Sequence, residues 1–308
     1  MSGITDAEFL QDAFIQEGVS PAPGVVIAAC TVGDDEDAPK NRVGVRHDGE
    51  WLEFSLSNEA ILSVDATPGG EAYVLGENGT VVRFDWKTPK TRDELRASRK
   101  LFTNGAVHDK GPLRRLRVLG GDVLCAGSVG QVYWLRDESF EPLPPLTVDG
   151  EAVTIEDLAG NSREDFIAVA SDGYAAHFNG STWQVLPLPI HTELTAICKL
   201  EQGYAICGKS GAVMTGSGDE WSDLTPFDGD RDYWGIASHQ GTLYVAHLAG
   251  IDHASGQALR PLGLPKGAPL QFTVLRGASD GVWSFADHTI GRIHDGQWHT
   301  LTSGPRSP

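Results

Sequence analysis

The sequence predicts an all-β protein, a seven-bladed β-propeller of four-stranded antiparallel blades, with a short N-terminal helix and a basic insertion in blade 2. Three observations predict it. First, one hairpin recurs near both ends of the chain: "VGVRHDGEWLEF" (residues 43–54) and "IGRIHDGQWHTL" (residues 290–301) share Gly44/Gly291, His47/His294, Asp48/Asp295, Gly49/Gly296 and Trp51/Trp298. Related hairpins return with Phe140, Trp183 and Trp221 in the aromatic place, at steps of 43 and 38, and the step of 77 to Trp298 leaves room for one degenerate copy. A period near 40 belongs to arrays in which each repeat is a small supersecondary unit. Second, short apolar runs lie upstream of the hairpins, among them "EAYVLG", "DVLCAG", "DFIAVA", "GYAICG", "TLYVAH" and "GVWSFA". They are aromatic and β-branched and are bounded by Gly or Asp, which marks strands and not helices. Weaker runs such as "AILSVDA" and "LQFTVLRG" bring each repeat to four strands. Third, Asp48-Gly49, Asn179-Gly180 and Asp295-Gly296 supply the positive φ values of two-residue hairpin turns. Sequential antiparallel sheets of this kind close into a propeller.

In chain order, residues 1–20 form a helical segment, residues 21–303 the propeller and residues 304–308 a tail. Thr5 and Glu8 make a capping box ahead of Phe9, Leu10, Ala13 and Phe14, one apolar side of a two- to three-turn helix that plugs or latches the ring or, alternatively, detaches to bind a partner. The blades fall near residues 21–57, 60–103, 113–145, 153–188, 193–225, 233–265 and 270–303. Blade 1 shows three clear strands. Its fourth comes from the N-terminal segment, or the ring closes imperfectly. In blade 2, "KTPKTRDELRASRKLF" reads as a short helix, with Thr91 and Glu94 as its capping box and Arg96, Arg99 and Lys100 toward its negative C-terminal end. Leu95, Leu101 and Phe102 would pack it on the blade. Its charged face is then solvated, or contacts an acidic surface that could be the protein's own.

"GYAICGKS" (residues 203–210) fits the phosphate-loop pattern G-x-x-x-x-G-K-[ST] letter for letter. Such a loop needs a strand ending before its first Gly and a helix starting at the Lys. Here "YAIC" is itself a strand and "GAVMTG" after Ser210 is another. "GKSGAV" also belongs with "GENGTV" and "GSVGQV", which makes Lys209 the counterpart of Glu77 and Ser128 in a turn between strands.

The strand-G-x-x-G-strand unit followed by a D/N-G-x-W hairpin resembles the Asp-box (sialidase-repeat) propellers, and in particular the propellers of photosystem II assembly factors and their bacterial relatives. The likeness covers most of residues 60–303 as a pattern. The family's S-x-D-x-G-x-x-W motif has its nearest piece in Ser217-Gly218-Asp219-Glu220-Trp221, which is shortened and lacks the later Gly. Propeller sialidases would imply an arginine triad with a tyrosine nucleophile, but their diagnostic "RIP" string is absent, Arg292-Ile293-His294 standing nearest.

Charge points to a class of partner. The net charge of -18 repels nucleic acid and anionic membrane, so neither is an expected partner. Residues 83–117 hold eleven Lys/Arg against four Asp/Glu, a basic island in an acidic body. The acidic N-terminal stretch lacks the pattern of an export signal, which predicts a cytosolic protein. Cys30, Cys125, Cys198 and Cys207 then read as reduced, buried thiols, with Cys198 and Cys207 facing each other across a hairpin. His247, His253, His288 and His294 invite a metal reading, but alternate members lie at opposite strand ends and read as turn and rim residues. "DGDRD" (residues 228–232) opens like a calcium loop, yet Tyr233 and His239 stand where an EF-hand needs Gly and Glu. No cofactor and no metal are expected.

Loops between blades and between each blade's middle strands share one face of a propeller. That face is expected to gather Asp34, Asp35, Glu36 and Asp37, then Glu77, Asp172, Asp228, Asp230 and Asp232, and finally Asp287 and His288, with Tyr233 and Trp234 as aromatic anchors. Acidic groups around aromatics attract a basic protein. The expected function is therefore a non-enzymatic protein binder, most concretely an immunity-type inhibitor of a basic toxin or enzyme. The alternatives are a glycan hydrolase or lyase with its site in the central channel, and a complex-assembly factor.

Overall fold

The computed structural model describes residues 3–33, 40–57, 59–105, 107–225, 231–254, 256, 258–268 and 271–303. Seven four-stranded antiparallel sheets follow one another along the chain, each with its strands in sequence order. Blades 1 to 7 span residues 13–57, 61–103, 113–142, 155–185, 194–223, 233–261 and 274–303. The first strand of each blade packs against the first strands of the blades before and after it, and the first strand of blade 1 meets that of blade 7. The molecule is thus a closed seven-bladed propeller, and those seven strands line its channel.

Burial follows from this stacking. A blade is covered on both faces by its neighbours, so its second strand has no polar side to turn outward. Phe166 to Ala170 of blade 4 and Gly281 to Ala286 of blade 7 are buried at every position. The clusters bridge neighbouring blades: Val45 and Phe54 of blade 1 pack with Val74 and Phe84 of blade 2, and Leu124 and Val132 of blade 3 with Phe166 and Phe178 of blade 4. The recurring Gly–Trp pair also has a packing cause. A Cβ on Gly44 would stand 2.8 Å from the Trp51 ring, and one on Gly291 would stand 2.1 Å from that of Trp298. Each indole lies over a glycine of the adjacent strand and covers it.

The N-terminus departs from expectation. The Thr5–Glu8 capping box is present, but the helix it caps is the single turn Asp6–Phe9. Ala13–Ala22 is a strand, the innermost of blade 1. The apolar spacing of Phe9, Leu10, Ala13 and Phe14 suits a helix, yet Ala13 to Val19 finds a partner ladder in Val32 to Ile27, and tertiary pairing overrides local periodicity. The missing fourth strand of blade 1 is therefore the N-terminal segment. Unlike a ring closed by a shared sheet, each terminal blade here takes its strands from one end of the chain.

In blade 2 the predicted helix is Arg92–Ala97, with Thr91 as N-cap. Leu95 is buried in the blade 1–blade 2 cluster. Arg92 bonds Glu53, and Arg99 stacks over Phe54 at 4.9 Å, so the insertion meets the protein's own blade 1. Arg115 and Arg117 point into the channel instead, and the basic run forms no single surface island. Around Lys209 the chain runs strand, turn, strand. Tyr204–Gly208 precedes, Val213–Ser217 follows, and Ser210 and Gly211 have φ of 54° and 75°. There is no helix terminus to cradle a phosphate. Cys198 pairs with Ala205 and Cys207 with Ala196, an offset that corrects the expected face-to-face placement, and all four cysteines are free.

Candidate functional site

One hydrogen bond, repeated in five successive blades, builds the face on which Glu77 and Asp172 lie. In blades 1 to 5 the residue just after the second strand donates its N–H to the carbonyl just before the first strand: Gly33 to Asp12, Glu77 to Ala60, Ser128 to Pro112, Ser171 to Thr154 and Lys209 to Glu193, at 2.9–3.0 Å. The inter-blade loops and the middle turns are thereby pinned side by side around one mouth of the channel. Glu77 and Asp172 are exposed there. Asp232 accepts the Ser210 N–H at 3.0 Å, and the Glu77 carboxylate accepts the Ala60 N–H at 3.1 Å. Asp287 sits in a left-handed turn with φ of 50°, and His288 Nδ1 lies 2.5 Å from the Ala13 carbonyl, tying blade 7 to blade 1. Asp34, Asp35, Glu36, Asp37, Asp228 and Asp230 lie outside the described residues.

The two predicted aromatic anchors are placed differently. Tyr233 is fully buried, and its hydroxyl donates to Asp252 at 2.6 Å, so it supports the face from beneath and offers no contact area. Trp234 lines the channel, with Lys209 Nζ 5.9 Å from its ring centre. The reason is the strand alternation: successive side chains at the start of an inner strand turn into the blade and then into the channel. Exposed apolar side chains on this face come instead from Phe14, Val129 and Leu248, at 41%, 46% and 50% exposure. A Val and a Leu inside turns carry no sequence signal of their own. Glu156 and Glu193 add to the acidic character, Glu193 pairing with Lys209 at 2.7 Å. Burial is the main cause that raises the Glu156 carboxyl above its usual range, against the pull of Arg114 and Arg115.

The channel, about 490 Å³, holds an ion network that sequence reasoning missed. Glu17 of blade 1 is bonded by Arg115 of blade 3 at 3.0 Å and by Arg276 of blade 7 at 3.1 Å. Asp157 of blade 4 takes Arg117 at 2.7 Å and lies 3.6 Å from Arg115. Burial, joined by the charges of Arg276 and Arg115, lowers the Arg117 pKa to about 10 against the opposing pull of Asp157, so it stays protonated at neutral pH. Three arginines do converge, as in a sialidase site, but carboxylates already hold them, and no tyrosine is among the described lining residues. A wider open cleft of about 1160 Å³ lies at the other end, between blades 5 and 6, lined by Lys199, Glu201, Trp221 and His239 among others.

The four histidines are engaged separately. His253 stacks on Tyr244, His294 Nδ1 lies 3.1 Å from the Asp280 carbonyl, and His247 lies 3.8 Å from Asp252. Among the described residues no group of three or more His, Cys, Asp or Glu is placed to hold a metal ion.

No protein-family model matches the chain. Over 201 residues it is 30% identical to "Immune protein Tsi7" of Pseudomonas aeruginosa (strain PAO1), an alignment covering 63% of this chain and 65% of that protein. The match therefore spans less than two thirds of either. Among solved structures, the WD40 β-propeller domain of Doa1 superposes with a TM-score of 0.67 at 12% identity, covering 90% of both chains. "YCF48 bound to D1 peptide" superposes with a TM-score of 0.65 at 16% identity, again over 90% of both. These likenesses are of fold.

Proposed function

We propose that this chain is an immunity protein that neutralises a cognate toxin by binding it across the acidic mouth of the propeller. The observation that carries the proposal is the similarity to Immune protein Tsi7 over 201 residues. The net charge of -18, with Glu77, Asp172, Asp232 and Asp287 on one face, supports a basic partner. Such a field raises the encounter rate and fixes orientation, while contact at the face determines how long the complex lasts. The channel favours binding over turnover, because its three arginines are each held by Glu17 or Asp157 and so stiffen the ring beneath the face. Neutralisation then needs no chemistry. In the cytosol of a toxin-producing cell, occupying the toxin's active surface suffices.

The test is co-expression with the product of the neighbouring reading frame. Protection of growth, with a co-purifying complex that weakens at high salt, is the expected result. Triple charge reversal at Glu77, Asp172 and Asp232 should abolish both. Full protection by the triple variant would move the binding surface elsewhere. Turnover of a glycan substrate without any protein partner would replace the proposal with the hydrolase reading.

A further inference from the structure

Ten non-glycine residues among those described have positive φ, and nine of them are Asp, Glu, Ser or Gln. The tenth is Val129, with φ 48° and ψ 36°. It occupies the first central position of a two-residue turn, Ser128 to Gln131, closed by the Gln131 N–H on the Ser128 carbonyl at 3.2 Å. Gly130, the second central residue, has φ 67°. Both central residues of such a turn are left-handed, which favours Asn, Asp or Gly at the first position. The same turn in blade 5 uses Ser210 and Gly211. A β-branched side chain is the worst fit to this conformation, because its Cβ substituents crowd the backbone. Val129 is also 46% exposed. The isolated protein is thus burdened twice, by strain and by apolar surface in water, where a polar residue would avoid both.

We infer that Val129 is a contact residue for the partner, held by its strained turn as one of three apolar points on the acidic face. Strained residues that persist mark sites where something other than stability decided the residue. The other two points are Phe14, edge-on to His288 at 5.7 Å in the seam of blades 1 and 7, and Leu248 in the middle turn of blade 6. Blades 3 and 6 stand on opposite sides of the channel mouth, so no small ligand touches all three points. The occupant is a folded protein domain lying across the mouth, with apolar spots set in a basic surface that matches Glu77 and Asp172. This inference rests on the immunity reading above and adds which contacts hold the partner.

The test titrates the purified product of the neighbouring reading frame into wild-type protein, Val129→Asn, Val129→Gly and the double variant Glu77→Lys/Asp172→Lys, with thermal melts of each alone. Val129→Asn should bind about tenfold more weakly, mainly through faster dissociation. Its melting temperature should equal or exceed that of wild type, because Asn accepts the left-handed turn. Val129→Gly should lose affinity alike. If both Val129 variants bind like wild type while the charge variant binds weakly, Val129 is no anchor and the face assignment stands. If the charge variant also binds like wild type, the face assignment fails with it. A melting temperature several degrees lower in both Val129 variants would assign Val129 to the fold and overturn the inference.

Discussion

The Phe9 ring lies flat on the Trp51 indole, the ring centres 3.8 Å apart and the planes 5° from parallel. Asp6, one turn before Phe9, accepts the Trp51 indole N–H at 2.7 Å and is bonded by Arg46 through two nitrogens at 2.8 and 3.0 Å. Arg42 donates to the Glu8 carbonyl at 3.0 Å and to that of Phe9. The short helix is thus fastened over blade 1, and its Phe9 and Leu10 share one buried cluster with Trp283, Phe285 and Ile290 of blade 7. Since blades 1 and 7 share no sheet, this cluster and the Ile15 N–H on the Asp287 carbonyl at 2.7 Å join the His288–Ala13, Arg276–Glu17 and Gly24–Asp280 contacts in clasping the ring.

Phe9→Ala should therefore destabilise the protein by about 3 kcal/mol, the range for removing a buried aromatic, and Phe9→Leu by much less. Asp6→Ala should cost roughly 1–3 kcal/mol, because the Trp51 indole N–H is left without its acceptor. Urea unfolding followed by Trp fluorescence reads both, and hydrogen exchange should show blades 1 and 7 losing protection first. A Phe9→Ala midpoint equal to that of wild type would mean that the ring closes without the clasp.

Glu17 ties the channel together, with its side chain only 2% exposed and its two oxygens taken by Arg115 and Arg276. Glu17→Gln leaves the partly buried Arg276 without its ion-pair partner and Arg115 with Asp157 alone, so the expected loss is roughly 3 kcal/mol. Chemical denaturation of Glu17→Gln and of Glu17→Gln/Arg276→Met measures it. The double variant should recover part of the loss, since it removes the guanidinium left without a partner. A double variant less stable than the single one would show that Arg276 acts mainly through packing.

Periodic features were legible in the sequence, and convergent ones were not. The recurrence of Gly44 with Trp51 and Gly291 with Trp298 marks the blade because an indole covers a bare glycine at each place, and the turn pairs follow from positive φ. The ends of blades 2 to 7 fall within a few residues of the expected limits for the same reason. The start of blade 1 is ambiguous in the sequence because Ala13 to Val19 has both helical spacing and strand character, and only the ladder with Val32 to Ile27 decides between them. The channel network was hidden because Glu17, Arg115, Asp157 and Arg276 lie far apart in sequence and meet only when the ring closes. Even so, Arg115 and Arg117 alternate along a strand, a hint that both face the axis. Adjacency in sequence suggests one surface for Tyr233 and Trp234, whereas strand alternation sends the first into the blade and the second into the channel.

Thiol chemistry should be silent in the native state. Cys30, Cys125 and Cys207 are fully buried, and burial raises the pKa of all four thiols, Cys30 and Cys207 to about 12. Hardly any thiolate exists at neutral pH, and the thiolate is the reactive form. An Ellman titration at neutral pH should therefore show almost no free thiol until denaturant is added, and then four per chain. A reductant should leave the melting temperature unchanged. Two titratable thiols in denaturant without reductant would reveal a disulfide that the register of Cys198 and Cys207 argues against.

Acid should weaken the seam between blades 7 and 1 at Asp280. Burial alone would raise its pKa. The Trp283 indole N–H at 3.0 Å, Arg292 at 2.8 Å and the Gly24 N–H outweigh burial and hold it below 3.8. A carboxylate with a depressed folded-state pKa binds protons more weakly than its unfolded counterpart. Its contribution is complete above the unfolded value and disappears as pH falls through the folded one. Asp252 follows the same rule: burial would raise it, and contact with His247 and Tyr233 lowers it. Unfolding free energy should thus hold steady as far as these groups decide it down to about pH 4, and fall below that. Asp280→Asn should be less stable at neutral pH by about 1–2 kcal/mol and should lose less of its stability between about pH 4 and pH 2. Equal acid losses in the two proteins would show that Asp280 keeps the same proton affinity on unfolding, against the donor set of Trp283, Arg292 and Gly24.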